Sequence, residues 1–292
     1  MSVTLVTGSS GFVGRAIMPR LAAAGRKAIG LDPRPSATTR VIDDLSDRTR
    51  LRDLIVREKI TNIIHAGGIS GPMVMTDDPA GIIAINVTGS MNLLYEAMAG
   101  GVTTFIYCSS LAAVGNFDEK APIGEDYPLR PGSTYGCSKA AMDYVLRGLF
   151  KRVPLDICSL RLTAVYGPGR ETEFTVDTIV KAALARKPAR IDPLTDWPYI
   201  YVDDAADAAI AACFSGTRKQ LSYYVVHPER VTPDDIAAAC GVAGRPVTLD
   251  VNTSTPPQSR GVVDHEAAAR DFGFRAKIGH REGIRRMIEA AS

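Results

Sequence analysis

Three residues whose types and spacing could move a proton lie in two stretches of the sequence. Tyr135 and Lys139 are four residues apart in STYGCSKAAMDYVLRGLF, and Ser110 lies 25 residues before Tyr135 in IYCSSLAAVG. A spacing of four places two side chains on one helix face, about 5–6 Å apart at Cβ. A phenol has a pKa near 10, which a nearby ammonium lowers, and a serine hydroxyl can donate to an oxygen that gains charge. The trio predicts proton transfer at a hydroxyl, although tyrosine–lysine pairs at this spacing also occur on solvated helices.

A glycine-rich turn at the start of the chain predicts a nucleotide site. An apolar run over residues 3–7 leads into Gly8, Gly11 and Gly14, and an amphipathic segment follows. Gly8 allows a tight turn, Gly11 lets the backbone approach a pyrophosphate, and Gly14 lets the helix pack close to the strand. The anion would lie at the helix N-terminus. The spacing is G-x-x-G-x-x-G rather than G-x-G-x-x-G, so the prediction depends on its strand–turn–helix context.

The end of the second predicted strand indicates which dinucleotide is bound. The segment RKAIGLD ends at Asp32, 24 residues beyond Gly8. A carboxylate at this place accepts a hydrogen bond from a ribose 2′-hydroxyl and repels a 2′-phosphate, so NAD is favoured over NADP. Arg15 and Arg34 keep NADP open, because either could meet a 2′-phosphate.

Composition limits the classes of function. The chain has 292 residues, 46% of them hydrophobic, and a formal net charge of +2. We expect a globular protein with no nucleic-acid partner and no membrane partner, since basic runs with interleaved aromatics and long apolar stretches are both missing from the sequence. A strand begins at once, so we expect no signal peptide. Five scattered cysteines predict reduced thiols in the cytoplasm, and the isolated histidines predict no metal site.

Alternating strand and helix patterns predict an α/β fold with a doubly wound parallel Rossmann sheet. Residues 1–165 are expected to form the NAD-binding domain, with 199–216 returning to it. Residues 166–292 are expected to form mainly a small, interleaved C-terminal substrate-binding lobe. The motifs all fall at predicted carboxyl ends of strands, where ligands bind in such sheets. His65 is interpreted as a strand-end residue rather than a base, and Arg161 as a motif residue or a core ion pair.

The combined motifs resemble those of a known family. TGSSGFVG, DDLSD, HAGG, CSSLAAVG, TYGCSK, LRLTAVYGPGR and YVDDAADAAI occur in the order and spacing of extended short-chain dehydrogenase/reductases, in particular the NAD-dependent epimerase/dehydratase group. The resemblance covers nearly the whole chain. It implies an oxidoreductase of carbohydrate metabolism in which Tyr135 is the acid/base, Lys139 binds the nicotinamide ribose, and Ser110 hydrogen-bonds the reacting oxygen. It also suggests a homodimer formed by the helices of Asn86 and Tyr135.

The resemblance implies that NAD is bound by residues from several loops. They are Gly8, Gly11, Phe12, Val13 and Gly14 at the pyrophosphate, Asp32 at the adenosine ribose, Asp44 and Leu45 beside the adenine, Ala66, Gly67 and Gly68 along the cofactor channel, and Asn86, Tyr135 and Lys139.

Departures from the family pattern bear on the substrate. Many nucleotide-sugar enzymes of the group have asparagine where this chain has Ala164, and tyrosine where it has Val114. These differences and the short chain count against a nucleotide-sugar substrate. The segment HAGGIS followed by Gly71 resembles the corresponding segment of uronate dehydrogenases. This resemblance implies that Arg170 and Arg260 clamp a substrate carboxylate. Ser70 would contact sugar hydroxyls.

Three functions remain open at this point. The leading hypothesis is an NAD-dependent dehydrogenase that oxidises a hydroxyl of a small carbohydrate or sugar acid. The alternative is a nucleotide-sugar epimerase or dehydratase, in which the hydride returns to the substrate. The third is a non-catalytic redox sensor that binds NAD(P), which the presence of Ser110, Tyr135 and Lys139 disfavours.

Overall fold

The strands follow one another along the whole chain. A computed structural model describes residues 2–117, 121–194, 196–216, 218–254 and 261–291; Arg260, a predicted substrate residue, lies outside these ranges. The strands are β1 (Val3–Thr7), β2 (Lys27–Asp32), β3 (Val41–Ile42), β4 (Asn62–His65), β5 (Thr104–Ser110), β6 (Asp156–Leu162), β7 (Ala164–Tyr166), β8 (Ala189–Ile191), β9 (Trp197–Tyr201), β10 (Ser222–Val225), β11 (Arg230–Val231) and β12 (Leu249–Val251).

Helices occupy most of the connections between these strands. They are α1 (Phe12–Ala23), α2 (Arg48–Glu58), α3 (Pro79–Ile83), α4 (Ser90–Ala99), α5 (Thr134–Leu149), α6 (Thr175–Ala185), α7 (Val202–Ser215), α8 (Pro233–Val242), α9 (Glu266–Phe272) and α10 (His280–Ala290). A π-helical segment, Ala84–Gly89, joins α3 to α4. A 3₁₀ turn, Leu111–Ala113, follows β5.

A seven-stranded parallel sheet forms the centre of the fold. Its strand order is β10-β6-β5-β4-β1-β2-β3, and every neighbouring pair is parallel. The order reverses direction between β1 and β4, which creates the crevice where open α/β sheets bind ligands. The prediction of a doubly wound parallel sheet is confirmed.

Side-chain alternation along the strands builds a separate core on each face of this sheet. On β5, Ile106 and Cys108 belong to one core, whereas Phe105 and Tyr107 belong to the other. The first core includes residues of α1 and α7, and the second includes residues of α2, α4 and α5. Successive side chains of a strand point to opposite faces, so a strand that is buried on both sides must be apolar at nearly every position.

The small lobe is built around a third core. Its members come from β7, β9, α6, α8 and α10, and β9 pairs with β7 and β11 in a sheet of its own. Within residues 199–216, helix α7 packs on the central sheet against α1, β4 and β5, but strand β9 does not join that sheet. The strand that returns to the central sheet is β10. The sequence did not reveal this, because a strand–helix pattern does not determine which sheet a strand enters. The division near residue 165 stays a prediction.

Hydrophobic segments of the fold are short. Among the helices of the described residues, none has the length and apolar character needed to cross a membrane. The cytoplasmic location stays a prediction.

Candidate active site

The predicted site residues converge at the carboxyl edge of the central sheet. Gly8 follows β1, Asp32 ends β2, His65 ends β4, and Ser110 ends β5. These four strands are all parallel and neighbour one another in the order β5-β4-β1-β2. Parallel strands place their carboxyl ends at one edge of a sheet, so residues far apart in the sequence come to share one crevice.

The glycine turn between β1 and α1 has no room for a side chain at Gly8 or Gly14. Gly8 has φ +70°, and a Cβ built on it would lie 2.5 Å from the Cα of Gly67. A Cβ on Gly14 would overlap the carbonyl oxygen of Gly8. Gly8 is therefore required both for its left-handed conformation and for the close approach of the loop after β4.

The end of this turn offers donors and an acceptor that fit NAD. Gly11 caps α1, and among the described residues no side chain satisfies the first amides of that helix, which include those of Val13 and Gly14. Free amides at a helix N-terminus favour a pyrophosphate. The buried Asp32 carboxylate accepts from the Ser10 amide at 3.2 Å and the Arg34 amide at 2.8 Å. A carboxylate has about four acceptor positions, so it retains capacity for a ribose hydroxyl.

Asp44 and Leu45 lie in the segment between β3 and α2. The carboxylate of Asp44 accepts from the amide and hydroxyl of Ser46, at 2.8 and 2.6 Å. The carbonyl of Leu45 accepts from Asn92 of α4 at 2.9 Å. These bonds fix the backbone after β3 against α4, and an adenine role for either residue stays a prediction.

Asn86 holds the loop that carries Ala66, Gly67, Gly68 and Ser70. Its Oδ1 accepts from the Ile69 amide at 2.8 Å, and its Nδ2 donates to the Ile69 carbonyl at 3.1 Å and to Ser138 Oγ at 3.0 Å. Ser138 in turn donates to the carbonyl of Tyr135 at 2.7 Å. Asn86 therefore ties this loop to α5, and a direct contact with the cofactor stays a prediction.

His65 is buried with both ring nitrogens hydrogen-bonded. Nε2 lies 2.7 Å from Ser90 Oγ, and Nδ1 lies 2.6 Å from Thr7 Oγ1. Because Ser90 donates its own proton to the carbonyl of Asn86, Nε2 must be the donor to Ser90, and Nδ1 accepts from Thr7. Burial, assisted by the charge of Lys139, lowers the pKa of His65 to about 3. A neutral histidine with these partners braces β4 and is a poor base.

Tyr135 lies in the first turn of α5 with its hydroxyl inside the crevice. Ser133 caps this helix by accepting from the Gly136 amide at 3.1 Å, a contact that stabilises a helix by about 1 kcal/mol. Burial raises the pKa of Tyr135 above its ordinary value, and hydrogen bonds with Ser110, Ser70 and the Gly71 backbone oppose the rise. The phenol is thus placed near groups that can donate to its charged form, and these groups oppose the effect of burial on its pKa.

Lys139 lies behind Tyr135 on the same buried face of α5. Its Nζ donates to the Cys108 carbonyl at 2.9 Å and lies 6.0 Å from the centre of the Tyr135 ring. Burial lowers the pKa of Lys139 to about 8, against the opposing influences of Cys108 and Asp143. The sequence predicts that Lys139 lowers the pKa of Tyr135, but burial decides the direction for the tyrosine in this structure.

The lowered pKa of Lys139 predicts a pH-dependent stability. Between pH 8 and about 10.5, the unfolded chain binds a proton that the folded chain has lost, so stability rises with pH. Relative to Lys139→Met, the wild-type protein should gain about 2 kcal/mol in free energy of unfolding from pH 7 to pH 9.5. Urea unfolding of both proteins at the two pH values measures this, and an unchanged difference would contradict it.

The substrate residues predicted from the sequence have different surroundings. Ser70 lies near the phenol of Tyr135 and acts to lower its pKa. Arg170 points into its own loop: Nε donates to the Thr172 carbonyl at 2.8 Å, and Nη1 donates to the Val165 carbonyl. Nε also lies 3.6 Å from Asp177. A clamp on a substrate carboxylate would have to compete with these contacts, and it stays a prediction.

Supporting residues on α5 have no motif of their own in the sequence. Asp143, fully buried, accepts from Arg161 Nε at 2.9 Å and from Ser159 Oγ at 2.6 Å. Arg161 is also fully buried, so Arg161 and Asp143 form an ion pair in the core. Asp143 lies four residues after Lys139, so the two side chains share one face of α5. Polar residues that recur on this face were the signal in the sequence that could have identified Asp143.

Known proteins resemble the chain over its full length. UDP-glucose 4-epimerase of Mycolicibacterium smegmatis is 26% identical over 306 residues, covering 98% of this chain and 97% of that protein. dTDP-glucose 4,6-dehydratase of Streptomyces antibioticus is 26% identical over 309 residues, covering 98% and 91%. The crystal structure of Thermus thermophilus UDP-glucose 4-epimerase in complex with NAD superposes with a TM-score of 0.86 at 26% identity, covering 99% of this chain and 98% of that one.

The model of the NAD-dependent epimerase/dehydratase family matches residues 4–223. This range contains the glycine turn, Asp32, Ser110, Tyr135 and Lys139, so the match includes the whole of the crevice described above. The chain is an NAD-dependent enzyme of the extended short-chain dehydrogenase/reductases, and it belongs to the NAD-dependent epimerase/dehydratase family.

Proposed function

We propose that the enzyme is an epimerase or dehydratase that acts on a nucleotide-linked sugar. The observation that carries this proposal is the buried Tyr135, whose phenol lies near the side chains of Ser110 and Ser70 at the carboxyl edge of the central sheet. The similarity to nucleotide-sugar epimerases and dehydratases supports the choice of substrate. The length of the chain does not count against a nucleotide-sugar substrate, because the chain spans 97% of the length of the M. smegmatis epimerase.

The residues of the crevice supply the proton chemistry. Bound NAD supplies the acceptor, and afterwards the donor, of a hydride. Tyr135 takes the hydroxyl proton as the carbon–hydrogen bond breaks, so the substrate alcohol becomes a ketone. Ser110 and Ser70 donate to the oxygen on which charge develops. The ammonium of Lys139, 6.0 Å from the centre of the Tyr135 ring, favours the deprotonated phenol and so acts against the effect of burial on its pKa.

The fate of the hydride distinguishes the possible outcomes. If the ketone rotates in the site and presents its opposite face before the hydride returns, the configuration of one carbon is inverted. If water is first eliminated beside the ketone, the hydride returns to the resulting carbon–carbon double bond, and the product is a deoxy sugar that keeps the ketone. In both cases the cofactor is regenerated in each cycle, so no reduced cofactor accumulates.

A dehydrogenase of a small sugar acid is the second candidate. The observation that favours it is Ala164 on β7, which pairs in register with Tyr199 of β9. Ala164 has no side-chain amide to hold a nucleotide-linked sugar, and Val114 has no hydroxyl to place near Ser110. In this reading the hydride leaves with the cofactor, and the product is a ketone or lactone.

A panel of substrates separates the two candidates. The purified enzyme is given NAD with UDP-glucose, UDP-glucuronate, dTDP-glucose, or free aldoses and sugar acids, and both the reduced-nicotinamide absorbance and the products are followed. A new nucleotide sugar without accumulating NADH supports the proposal. NADH formation on a free sugar acid, with no change in any nucleotide sugar, would overturn it in favour of the dehydrogenase.

We also propose that the enzyme is a homodimer. Five large apolar side chains are at least one-third exposed on α3, α4, α5 and the π-helical segment: Ile83, Ile85, Met91, Tyr95 and Tyr144. These helical elements contact one another, exposed apolar patches mark protein–protein interfaces, and a two-fold axis pairs such a surface with itself. Light scattering after gel filtration should give twice the chain mass, and Tyr144→Glu should halve it. A wild-type monomer at micromolar concentration would contradict the proposal.

A further inference from the structure

A loop of the small lobe, residues 167–173, lies between β7 and α6 and reaches the cofactor domain. On its inner side, Arg170 donates to the carbonyls of Val165 and Thr172 and lies 3.6 Å from Asp177 of α6. Arg170 and Asp177 are both largely buried. The loop is therefore anchored to the small lobe by internal contacts.

The outer side of the same loop contacts two arginines of the cofactor domain. Arg15 of α1 donates from Nη2 to the Gly169 carbonyl at 2.7 Å and lies 3.9 Å from Glu171 Oε1. Arg34, in the turn after β2, donates from Nη1 to Glu171 Oε2 at 2.9 Å. The carboxylate of Glu171, in the small lobe, thus contacts the guanidinium groups of two arginines in the cofactor domain, one on α1 and one in the turn after β2.

Arg34 is placed where a 2′-phosphate would need a cation. Its amide donates to Asp32 Oδ1 at 2.8 Å, and its Nε lies 4.0 Å from the same atom. Asp32 is the residue that selects an unphosphorylated ribose, and an arginine beside such a residue is the usual partner of a 2′-phosphate. The side chain of Arg34 is 57% exposed, and that of Arg15 is 40% exposed, so neither is held by burial.

The formal charges of the four side chains beside the expected 2′-phosphate position sum to zero. Asp32 and Glu171 contribute two negative charges, and Arg34 and Arg15 contribute two positive ones. A phosphate monoester carries roughly two negative charges at pH 7, so it would meet cations that are already neutralised. The guanidinium of Arg34 holds the pKa of Glu171 below its ordinary value, which keeps this carboxylate ionised.

We propose that Glu171 is a specificity-determining residue for the cofactor. By engaging Arg34 and Arg15, it withholds from the 2′-phosphate of NADP the two cations that could bind it. NAD preference then has two sources: Asp32 repels the phosphate directly, and Glu171 occupies the arginines that would compensate. This inference concerns cofactor binding and holds for either substrate class.

The test is the binding of NAD and NADP to Glu171→Gln. Displacement of fluorescent NADH by each oxidised cofactor gives both affinities without any substrate. We expect Glu171→Gln to bind NADP about fivefold more tightly, with NAD affinity within about twofold of the wild type. The gain should shrink at high salt, since the groups are exposed. Adding Arg34→Ala should remove the gain.

Glu173→Gln is the matched control. Glu173 is an exposed carboxylate two residues away, and it pairs with Lys181 of α6 at 2.7 Å rather than with the cofactor domain. It should change neither affinity. An unchanged NADP to NAD ratio in Glu171→Gln, or an equal loss of affinity for both cofactors, would overturn the proposal, because Glu171 would then act only as a structural tie.

Discussion

Replacing Tyr135 with phenylalanine is expected to lower kcat by roughly 10²–10⁴-fold while NAD binding stays within about twofold of the wild type. In the proposed function the phenol takes the substrate proton, and phenylalanine keeps the ring but loses the hydroxyl near Ser110 and Ser70. Steady-state turnover on the substrate found in the panel measures the loss. Titration of NAD against protein fluorescence measures the cofactor affinity separately.

Tyr144→Phe is the control for this experiment. Tyr144 lies on the same helix, but its ring is 54% exposed, and the substitution keeps the apolar area at the proposed dimer surface. It should leave kcat unchanged. Turnover of Tyr135→Phe close to that of the wild type would refute the proton-transfer role, and the acid/base would have to be sought elsewhere in the crevice.

Asp143→Leu should destabilise the protein by about 3–5 kcal/mol, because it leaves the Arg161 guanidinium buried without its carboxylate. Asp143 Oδ2 accepts from Arg161 Nε at 2.9 Å, and neither side chain reaches solvent. The same pair fastens α5 to β6, and α5 carries Tyr135 and Lys139. Urea unfolding followed by circular dichroism measures the change in free energy of unfolding.

The double variant Asp143→Leu with Arg161→Met tests the stated cause. Removing both charges removes the uncompensated cation, so the double variant should be more stable than Asp143→Leu alone. If the two single costs simply add, the buried charge is not the source of the instability, and lost packing or the lost bond to Ser159 would explain it instead.

The local chemistry of the site could be predicted because short-range patterns determine it. Gly8 fits the turn because its φ of +70° favours glycine, and Gly14 fits the start of the helix because a Cβ there would overlap the Gly8 carbonyl oxygen. Asp32 ends a strand that the hydrophobic pattern delimits. Tyr135 and Lys139 share a helix face because four residues make about one turn. The alternation of strands and helices also indicates a parallel sheet, because parallel strands need a crossover connection.

Contacts between distant segments could not be predicted in this way. Arg34 and Glu171 are 137 residues apart, and Asn86 meets Ser138 across 52 residues. Nothing in the local sequence indicates that Arg170 turns into its own loop.

The sequence by itself determined the turn, the helix face and the alternation of strands and helices along the chain, because these depend on backbone sterics and on periodic burial. Only the tertiary structure decided that β9 joins a separate sheet while β10 completes the central one. It likewise decided the tautomer of His65 and the pairing of Glu171. The physical reason is that a polar side chain bonds to whichever partner the packing of whole elements brings within about 3 Å, and that packing is a property of the complete fold.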